Sequence, residues 1–141
     1  MNLYAESSAV LAWLLAEPTS PAIEAILDKA EWIVASDLTL AECGRGLIRA
    51  HVMGLLSELE MTRKRNVLGG SAVHWTLMRI DRDILERARR RFPEEPIRTL
   101  DALHLASALE ARAVIPDLVL LSLDQRVRDN GTALGFDILP A

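Results

Sequence analysis

Short apolar runs alternate along this chain with longer segments of helical periodicity, and this alternation constrains the fold more than any other feature. Runs typical of buried strands occur at residues 3–5, 32–35, 118–121 and 136–139, and a weaker one occurs at 73–77. Strands that are separated by helices favour parallel pairing, because the chain must cross back over the sheet before each new strand. The sequence therefore predicts an α/β fold with a mostly parallel central sheet flanked by helices.

Seven helices are predicted between and after these strands. Ser7 and Ser8 precede the first apolar helical run, and serine is a favoured N-cap residue. The pair Gly69-Gly70 is expected to end the fourth helix. The predicted ranges are 9–15, 20–30, 39–51, 55–68, 81–92, 99–113 and 124–134.

Length and composition indicate a single domain over residues 1–141. Half of the 141 residues are apolar and 26% are charged, which supports a packed core and excludes a disordered chain. No apolar run reaches the ~18 residues that span a bilayer, and no basic stretch precedes an apolar one at the start. Cys43 is the only cysteine, which excludes an internal disulfide. We therefore expect a cytoplasmic protein without a membrane segment.

The charges are distributed unevenly along the chain. Residues 1–60, 61–98 and 99–141 carry net charges of −6, +5 and −3, respectively. An arginine-rich middle between two acidic segments suits a metal site next to a polyanion.

Four carboxylates are expected at one edge of the predicted sheet. Glu6 follows the first strand, and Asp124 follows the strand that ends at residue 121. Glu42 and Asp101 lie in the predicted first turns of two helices. Ligands bind at the carboxyl ends of parallel strands, so these acids are candidate functional residues. The alternative is structural, because acids in a helix first turn also offset the helix dipole.

Clustered carboxylates repel one another, and a hard divalent cation compensates that repulsion. Mg²⁺ and Mn²⁺ prefer oxygen ligands, and they assist phosphodiester hydrolysis by activating a water molecule.

Four segments around these acids carry a recognisable pattern in chain order. They are Leu3-Tyr4-Ala5-Glu6-Ser7-Ser8-Ala9-Val10; Thr39-Leu40-Ala41-Glu42 with Arg45 and Leu47; Arg98-Thr99-Leu100-Asp101-Ala102-Leu103-His104-Leu105-Ala106; and Leu121-Ser122-Leu123-Asp124-Gln125-Arg126 with Ala133-Leu134-Gly135. Together they resemble the PIN-domain ribonucleases, and in particular the VapC toxins of bacterial and archaeal toxin–antitoxin pairs. The third segment is the most specific. One difference is that the first acid of the family is normally aspartate, whereas this chain has Glu6.

The resemblance implies a chemistry, a site and partners. Glu6, Glu42, Asp101 and Asp124 would hold one or two Mg²⁺ or Mn²⁺ ions, and Ser7 and Ser122 would fix carboxylates through their hydroxyls. The implied reaction is endonucleolytic cleavage of RNA by a metal-activated water. The implied partners are a second copy of the chain in a homodimer and a VapB-like antitoxin that blocks the site.

Basic residues offer candidate contacts to RNA. Arg98 lies closest in sequence to the predicted chemistry, just before Asp101. Arginine matches phosphate in a bidentate way, but the clusters could also be solvated faces near helix ends. The two clusters are Arg63, Lys64 and Arg65, and Arg87, Arg89, Arg90 and Arg91.

Three further interpretations remain open. His104 lies three residues after Asp101 on the same side of a helix, and we interpret it as a packed structural residue rather than a metal ligand. Cys43 is expected to be a small buried apolar residue.

The whole chain could also be a catalytically weakened PIN domain that mainly binds RNA or protein, a hypothesis motivated by Glu6. A flavodoxin- or response-regulator-like domain is disfavoured, because no glycine-rich phosphate loop is present.

Overall fold

The computed structural model describes residues 1–141 and contains five strands and seven helices. In chain order the elements are β1 (Asn2–Ala5), α1 (Ser7–Leu14), α2 (Ser20–Lys29), β2 (Trp32–Ser36), α3 (Asp37–Val52), α4 (Glu58–Ala72), β3 (Thr76–Met78), α5 (Arg82–Ala88), α6 (Thr99–Val114), β4 (Leu118–Leu121), α7 (Gln125–Ala133) and β5 (Ile138–Leu139).

All five strands form one sheet in the order β3-β2-β1-β4-β5, and every pair of neighbours is parallel. β1 lies at the centre, where Asn2 is in register with both Trp32 and Leu118. The prediction of a mostly parallel sheet flanked by helices is therefore confirmed. The carboxyl ends of β1, β2 and β4 lie side by side, so the residues that follow these strands meet at one edge.

Helices cover both faces of the sheet, and each face has its own core. Successive strand residues point to opposite faces. Tyr4 accordingly packs with side chains of α5, α6 and α7, whereas Leu3 and Ala5 pack with side chains of α1, α2, α3 and α4. All three of these β1 residues are completely buried. The central strand therefore anchors both cores.

The bounds of α4 differ from the prediction of 55–68. The helix begins at Glu58 because Ser57 and Glu60 form a capping box, in which each side chain accepts a hydrogen bond of 3.1 Å from the other residue's backbone N–H. It continues through Gly69 and Gly70 to Ala72, so the prediction that this glycine pair ends the helix was wrong. The continuation also displaces β3 from the predicted 73–77 to Thr76–Met78.

Two other helix ends were also mispredicted. The N-cap of α1 is Glu6 rather than a serine, because the Glu6 carboxylate accepts from the backbone N–H of Ser8. α5 ends at Ala88, four residues before the predicted end at Phe92. Phe92 lies in the following loop, where its ring is buried against the α6 side of the sheet. No helix has the length and apolar character needed to cross a membrane.

The packing of α7 against the sheet generates a stability prediction. A Cβ atom on Gly131 would lie 2.6 Å from Leu120 Cδ2 and 2.8 Å from Ile138 Cδ1. We expect Gly131→Ala to lower the free energy of unfolding by ~1–3 kcal/mol, because the packed tips of the Leu120 and Ile138 side chains must move to make room. Chemical denaturation of the variant and the wild type measures this change.

Gly70→Ala is the matched control for that prediction. Gly70 lies inside α4 with nothing within 4 Å of the added Cβ atom. Alanine there is expected to raise the free energy of unfolding by ~0.5–1 kcal/mol, because glycine loses more backbone entropy in a helix. Equal stabilities for Gly131→Ala and the wild type would contradict the close packing of α7.

Candidate active site

The four predicted acids line one cavity of about 470 Å³ at the carboxyl edge of the sheet. Glu6 directly follows β1, Glu42 lies on α3, Asp101 lies in the first turn of α6, and Asp124 directly precedes α7. Glu42 is in the second turn rather than the predicted first, because Ser36 caps α3 and the helix begins at Asp37. The other lining residues are Ser7, Ser8, Leu11, Arg98, Thr99 and Leu100.

Glu6 is held in place by hydrogen bonds to both of its carboxylate oxygens. Only 5% of the residue is exposed. Oε1 accepts from the Ser8 backbone N–H at 3.1 Å. Oε2 accepts from the Ser122 hydroxyl at 2.7 Å and from the Ser8 hydroxyl. The Glu6 carboxylate thus accepts three hydrogen bonds from the protein, and these fix its position at the cavity.

Ser8 is a functional candidate that the sequence analysis treated only as a helix signal. Its hydroxyl oxygen accepts from the backbone N–H groups of Leu123 and Asp124, at 2.9 and 3.1 Å. Because the same hydroxyl contacts Glu6, it joins the end of β1 to the loop that carries Asp124. The sequence signal for this role is the position of Ser8 two residues after Glu6, because an N-cap side chain commonly accepts a hydrogen bond from the residue two positions later.

Glu42 is held by two side chains from other elements. Its Oε1 accepts from the Ser7 hydroxyl at 2.7 Å and from His104 Nε2 at 2.6 Å. Burial alone would raise the pKa of Glu42, but the hydrogen bonds from His104 and Ser7 outweigh burial and lower the pKa. Glu42 therefore carries its negative charge at neutral pH.

His104 connects Glu42 to the core beneath the site. The ring is 1% exposed, and its Nδ1 lies 3.1 Å from the Tyr4 hydroxyl. Burial raises the pKa of Tyr4 well above its ordinary value, so the hydroxyl that is hydrogen-bonded to Nδ1 stays protonated. Nε2–H then donates to Glu42, because an ionised carboxylate only accepts. His104 is a buried, hydrogen-bonded residue, which agrees with the structural interpretation.

Asp101 and Asp124 lie at the N-termini of α6 and α7, where each accepts hydrogen bonds from backbone N–H groups. Asp101 Oδ2 accepts from the Arg98 backbone N–H at 3.1 Å. Asp124 Oδ1 accepts from the N–H groups of Arg126 and Val127, at 2.9 and 3.3 Å. The second oxygen of each aspartate has no partner in the protein, and the same holds for Glu42 Oε2. Three of the four acids thus present one uncommitted oxygen at the cavity.

The donor set of the cavity fits a hard divalent cation. The charged ligands are all carboxylate oxygens, which Mg²⁺ and Mn²⁺ prefer to nitrogen or sulfur. No three His, Cys, Asp or Glu side chains are grouped closely enough to enclose an ion by themselves. This openness suits Mg²⁺ in particular, because Mg²⁺ usually keeps several water molecules and binds substrate phosphates.

The remaining residues of interest divide into those near the cavity and those away from it. Arg98 is exposed and lines the cavity, whereas Arg63, Lys64 and Arg65 lie on α4 and do not. Cys43 is completely buried, and burial together with the charges of Glu42 and Glu6 raises its pKa to about 12. Cys43 is therefore the small buried residue that the sequence predicted.

Comparison with known proteins decides the family. The sequence model of the PIN-domain family matches residues 3–132 of this chain. The chain belongs to the PIN-domain family. This PIN domain is 33% identical over 137 residues to Ribonuclease VapC46 of Mycobacterium tuberculosis, an alignment that covers 97% of this chain and 95% of that protein. It is 28% identical to Ribonuclease VapC35 of the same organism, with coverages of 97% and 95%.

These similarities confirm the resemblance that the four sequence segments indicated. The PIN domain is of the VapC type, and its single α/β architecture is the one that the resemblance implied. All four acids of the quoted segments line one cavity, which supports them as candidate site residues.

The hydrogen bonds of His104 lead to a prediction about stability. His104→Ala removes the partner of Tyr4 and one partner of Glu42, and it leaves a buried space. We expect the free energy of unfolding to fall by about 2–4 kcal/mol. His74→Ala is the control, because His74 is exposed and we expect a change within about 0.5 kcal/mol. The assignment of His104 as a structural support fails if both variants unfold at the same denaturant concentration.

Proposed function

We propose that this PIN domain is a divalent-metal-dependent endoribonuclease and the toxin of a type II toxin–antitoxin pair. The observation that carries the proposal is the cavity in which Glu42, Asp101 and Asp124 each present an uncommitted carboxylate oxygen beside buried Glu6. The names of its relatives, ribonucleases VapC46 and VapC35, support RNA as the substrate.

The cofactor proposed for this cavity is Mg²⁺ or Mn²⁺. When bound, such an ion supplies charge neutralisation for the phosphodiester and an activated water. Asp101 with one or both of Glu42 and Asp124 would hold it, directly or through bound water, by the oxygens that have no partner in the protein. Glu6 would join them through a remaining lone pair of Oε1, or it would stay beside them as a carboxylate bonded to Ser8 and Ser122. Its fixed negative charge adds to the attraction for a cation in either case.

The other residues of the cavity orient the carboxylates and the substrate. Ser7 and His104 hold Glu42, and Ser122 holds Glu6. The two aspartates accept from backbone N–H groups, so all four carboxylates stay in defined positions. Arg98 at the rim is positioned to pair with a phosphate, since no carboxylate lies within 4.0 Å of its guanidinium. Precise positioning is a large part of catalysis in such sites.

The proposal includes two protein partners, a VapB-like antitoxin and a second copy of the chain. The junction of α3 and α4 supports binding to a protein, because it exposes four large apolar side chains. Val52, Met53, Leu55 and Leu59 are 77%, 63%, 74% and 58% exposed. Apolar groups clustered in this way commonly mark an interaction surface.

The hydrogen bonds to Glu6 favour a second candidate function. Glutamate stands where the family normally has aspartate, and both of its oxygens are already hydrogen-bonded. A weakened metal site would make the protein mainly an RNA- or protein-binding module. This alternative differs from the first in the rate of cleavage rather than in the fold.

Cleavage of RNA tests the proposed function. Wild type and Asp101→Asn are incubated with total cellular RNA in Mg²⁺, Mn²⁺ or EDTA, and the new RNA ends are mapped. We expect metal-dependent cutting by the wild type and a loss of at least about 100-fold in Asp101→Asn, because an amide cannot replace the charged ligand. Asp137→Asn is the control, since Asp137 is exposed, precedes β5 and does not line the cavity.

Glu6→Asp separates the two candidate functions in the same assay. If cleavage is the main activity, wild type and Glu6→Asp both cut RNA. If the site is weakened, only Glu6→Asp cuts, because the shorter side chain withdraws from the three hydrogen bonds and frees an oxygen. Cleavage by Asp101→Asn at the wild-type rate would refute the assignment of the site.

A further inference from the structure

A second cavity, of about 380 Å³, lies beside the acidic one and is lined by four arginines. We call it the arginine cavity, and its charged residues are Arg89, Arg90, Arg91, Arg98 and Glu95. It lies between the loop that follows α5 and the first turn of α6. Arg98 and Thr99 line both cavities, so the two form one continuous surface.

The guanidinium groups of this cavity have no partners in the protein. No carboxylate lies within 4.0 Å of any of them, and none donates a side-chain hydrogen bond. The Glu95 carboxylate is committed to its own loop, where it accepts from the backbone N–H groups of Phe92 and Ile97 at 3.0 and 2.9 Å.

The loop that carries these arginines is firmly anchored. Phe92 is buried in the core, and the Arg87 guanidinium stacks 4.0 Å above its ring. Buried Asn130 forms two hydrogen bonds of 2.9 Å to the backbone of Glu94. A loop fixed at three points holds its charges in a set arrangement, as a binding site requires.

We propose that Arg89, Arg90 and Arg91 bind backbone phosphates of the RNA strand next to the bond that is cleaved. This inference rests on the proposed function, because the acidic cavity must receive the reacting phosphodiester. A strand that leaves the acidic cavity past Arg98 enters the arginine cavity, where guanidinium groups match phosphate oxygens. RNA is favoured over an acidic protein by this continuity with the acidic cavity.

Binding of a single-stranded oligouridylate of about 12 nucleotides tests the inference. The measurement is fluorescence anisotropy in EDTA at several salt concentrations, so that it does not depend on cleavage. In the variant Arg89→Gln/Arg90→Gln/Arg91→Gln we expect affinity to fall roughly tenfold or more. The slope of log K against log salt is expected to fall by about 2, since each phosphate contact to a single strand contributes ~0.7.

Two control variants test whether the effect is specific to the position and chemistry of these arginines. Arg63→Gln/Lys64→Gln/Arg65→Gln removes the same charge from α4, outside both cavities, and should change affinity less than about twofold. Arg89→Lys/Arg90→Lys/Arg91→Lys keeps the charge and should keep most of the salt slope. Unfolding midpoints verify that all the variants are folded.

Several results would overturn the inference. They are an unchanged slope in the glutamine variant, an equal loss in the α4 control, or no binding of the oligouridylate by the wild type. Oligoglutamate of equal charge serves as the probe for an acidic protein partner. If it binds as tightly and depends on the same arginines, the cavity is a protein site instead. A wild type that binds as expected but cuts no RNA would refute the nuclease, and it would leave phosphate binding by the arginine cavity supported without its place beside a cleaved bond.

Discussion

The convergence of four carboxylates at the edge of one parallel sheet is the constraint around which this site is organised. Parallel strands bring the ends of β1, β2 and β4 together, and the acids that follow them have to share the space. The protein stabilises each charge separately before any ion is considered. Glu6 is bound by two serines, Glu42 by Ser7 and His104, and both aspartates by the N–H groups of helix termini. For Glu42 the hydrogen bonds from His104 and Ser7 lower the pKa and so favour the charged form.

These supports reach into the core on one side of the sheet. Glu42 contacts His104, and His104 contacts Tyr4, which lies in the central strand. Because Tyr4 and His104 are buried, the position of Glu42 depends on the packing of α6 against β1. The structure of the site and the stability of the fold are therefore coupled through three side chains. Glu6 differs from Glu42 in that its support comes from hydroxyls at the ends of the two strands.

Much of the fold and the set of candidate acids could be predicted from the sequence. Alternating apolar runs indicated a parallel sheet, and the position of each acid after a strand or near a helix start indicated one shared edge. What the sequence could not supply was the partner of each side chain. The contact between Glu42 and His104 joins residues 62 positions apart, and the contact between Glu6 and Ser122 joins residues 116 apart. No local pattern encodes pairings over such distances.

The local errors have equally physical causes. Gly69 and Gly70 have weak helix propensity, but the capping box at Ser57 and the burial of Leu68 and Ala72 keep α4 helical beyond them. Phe92 continues the helical pattern of α5 in the sequence. In the structure it lies in the loop after α5, and its ring packs into the core.

The direct test of the central claim is a crystal structure of the wild type soaked with Mn²⁺, with anomalous data collected at a wavelength where manganese scatters. The account predicts an anomalous peak in the acidic cavity, in contact with carboxylate oxygens of Asp101 and at least one of Glu42 and Asp124. It also predicts that His104 keeps its hydrogen bonds to Tyr4 and Glu42. An empty cavity at a Mn²⁺ concentration at which the wild type cleaves RNA, or a peak bound by His104, would contradict it.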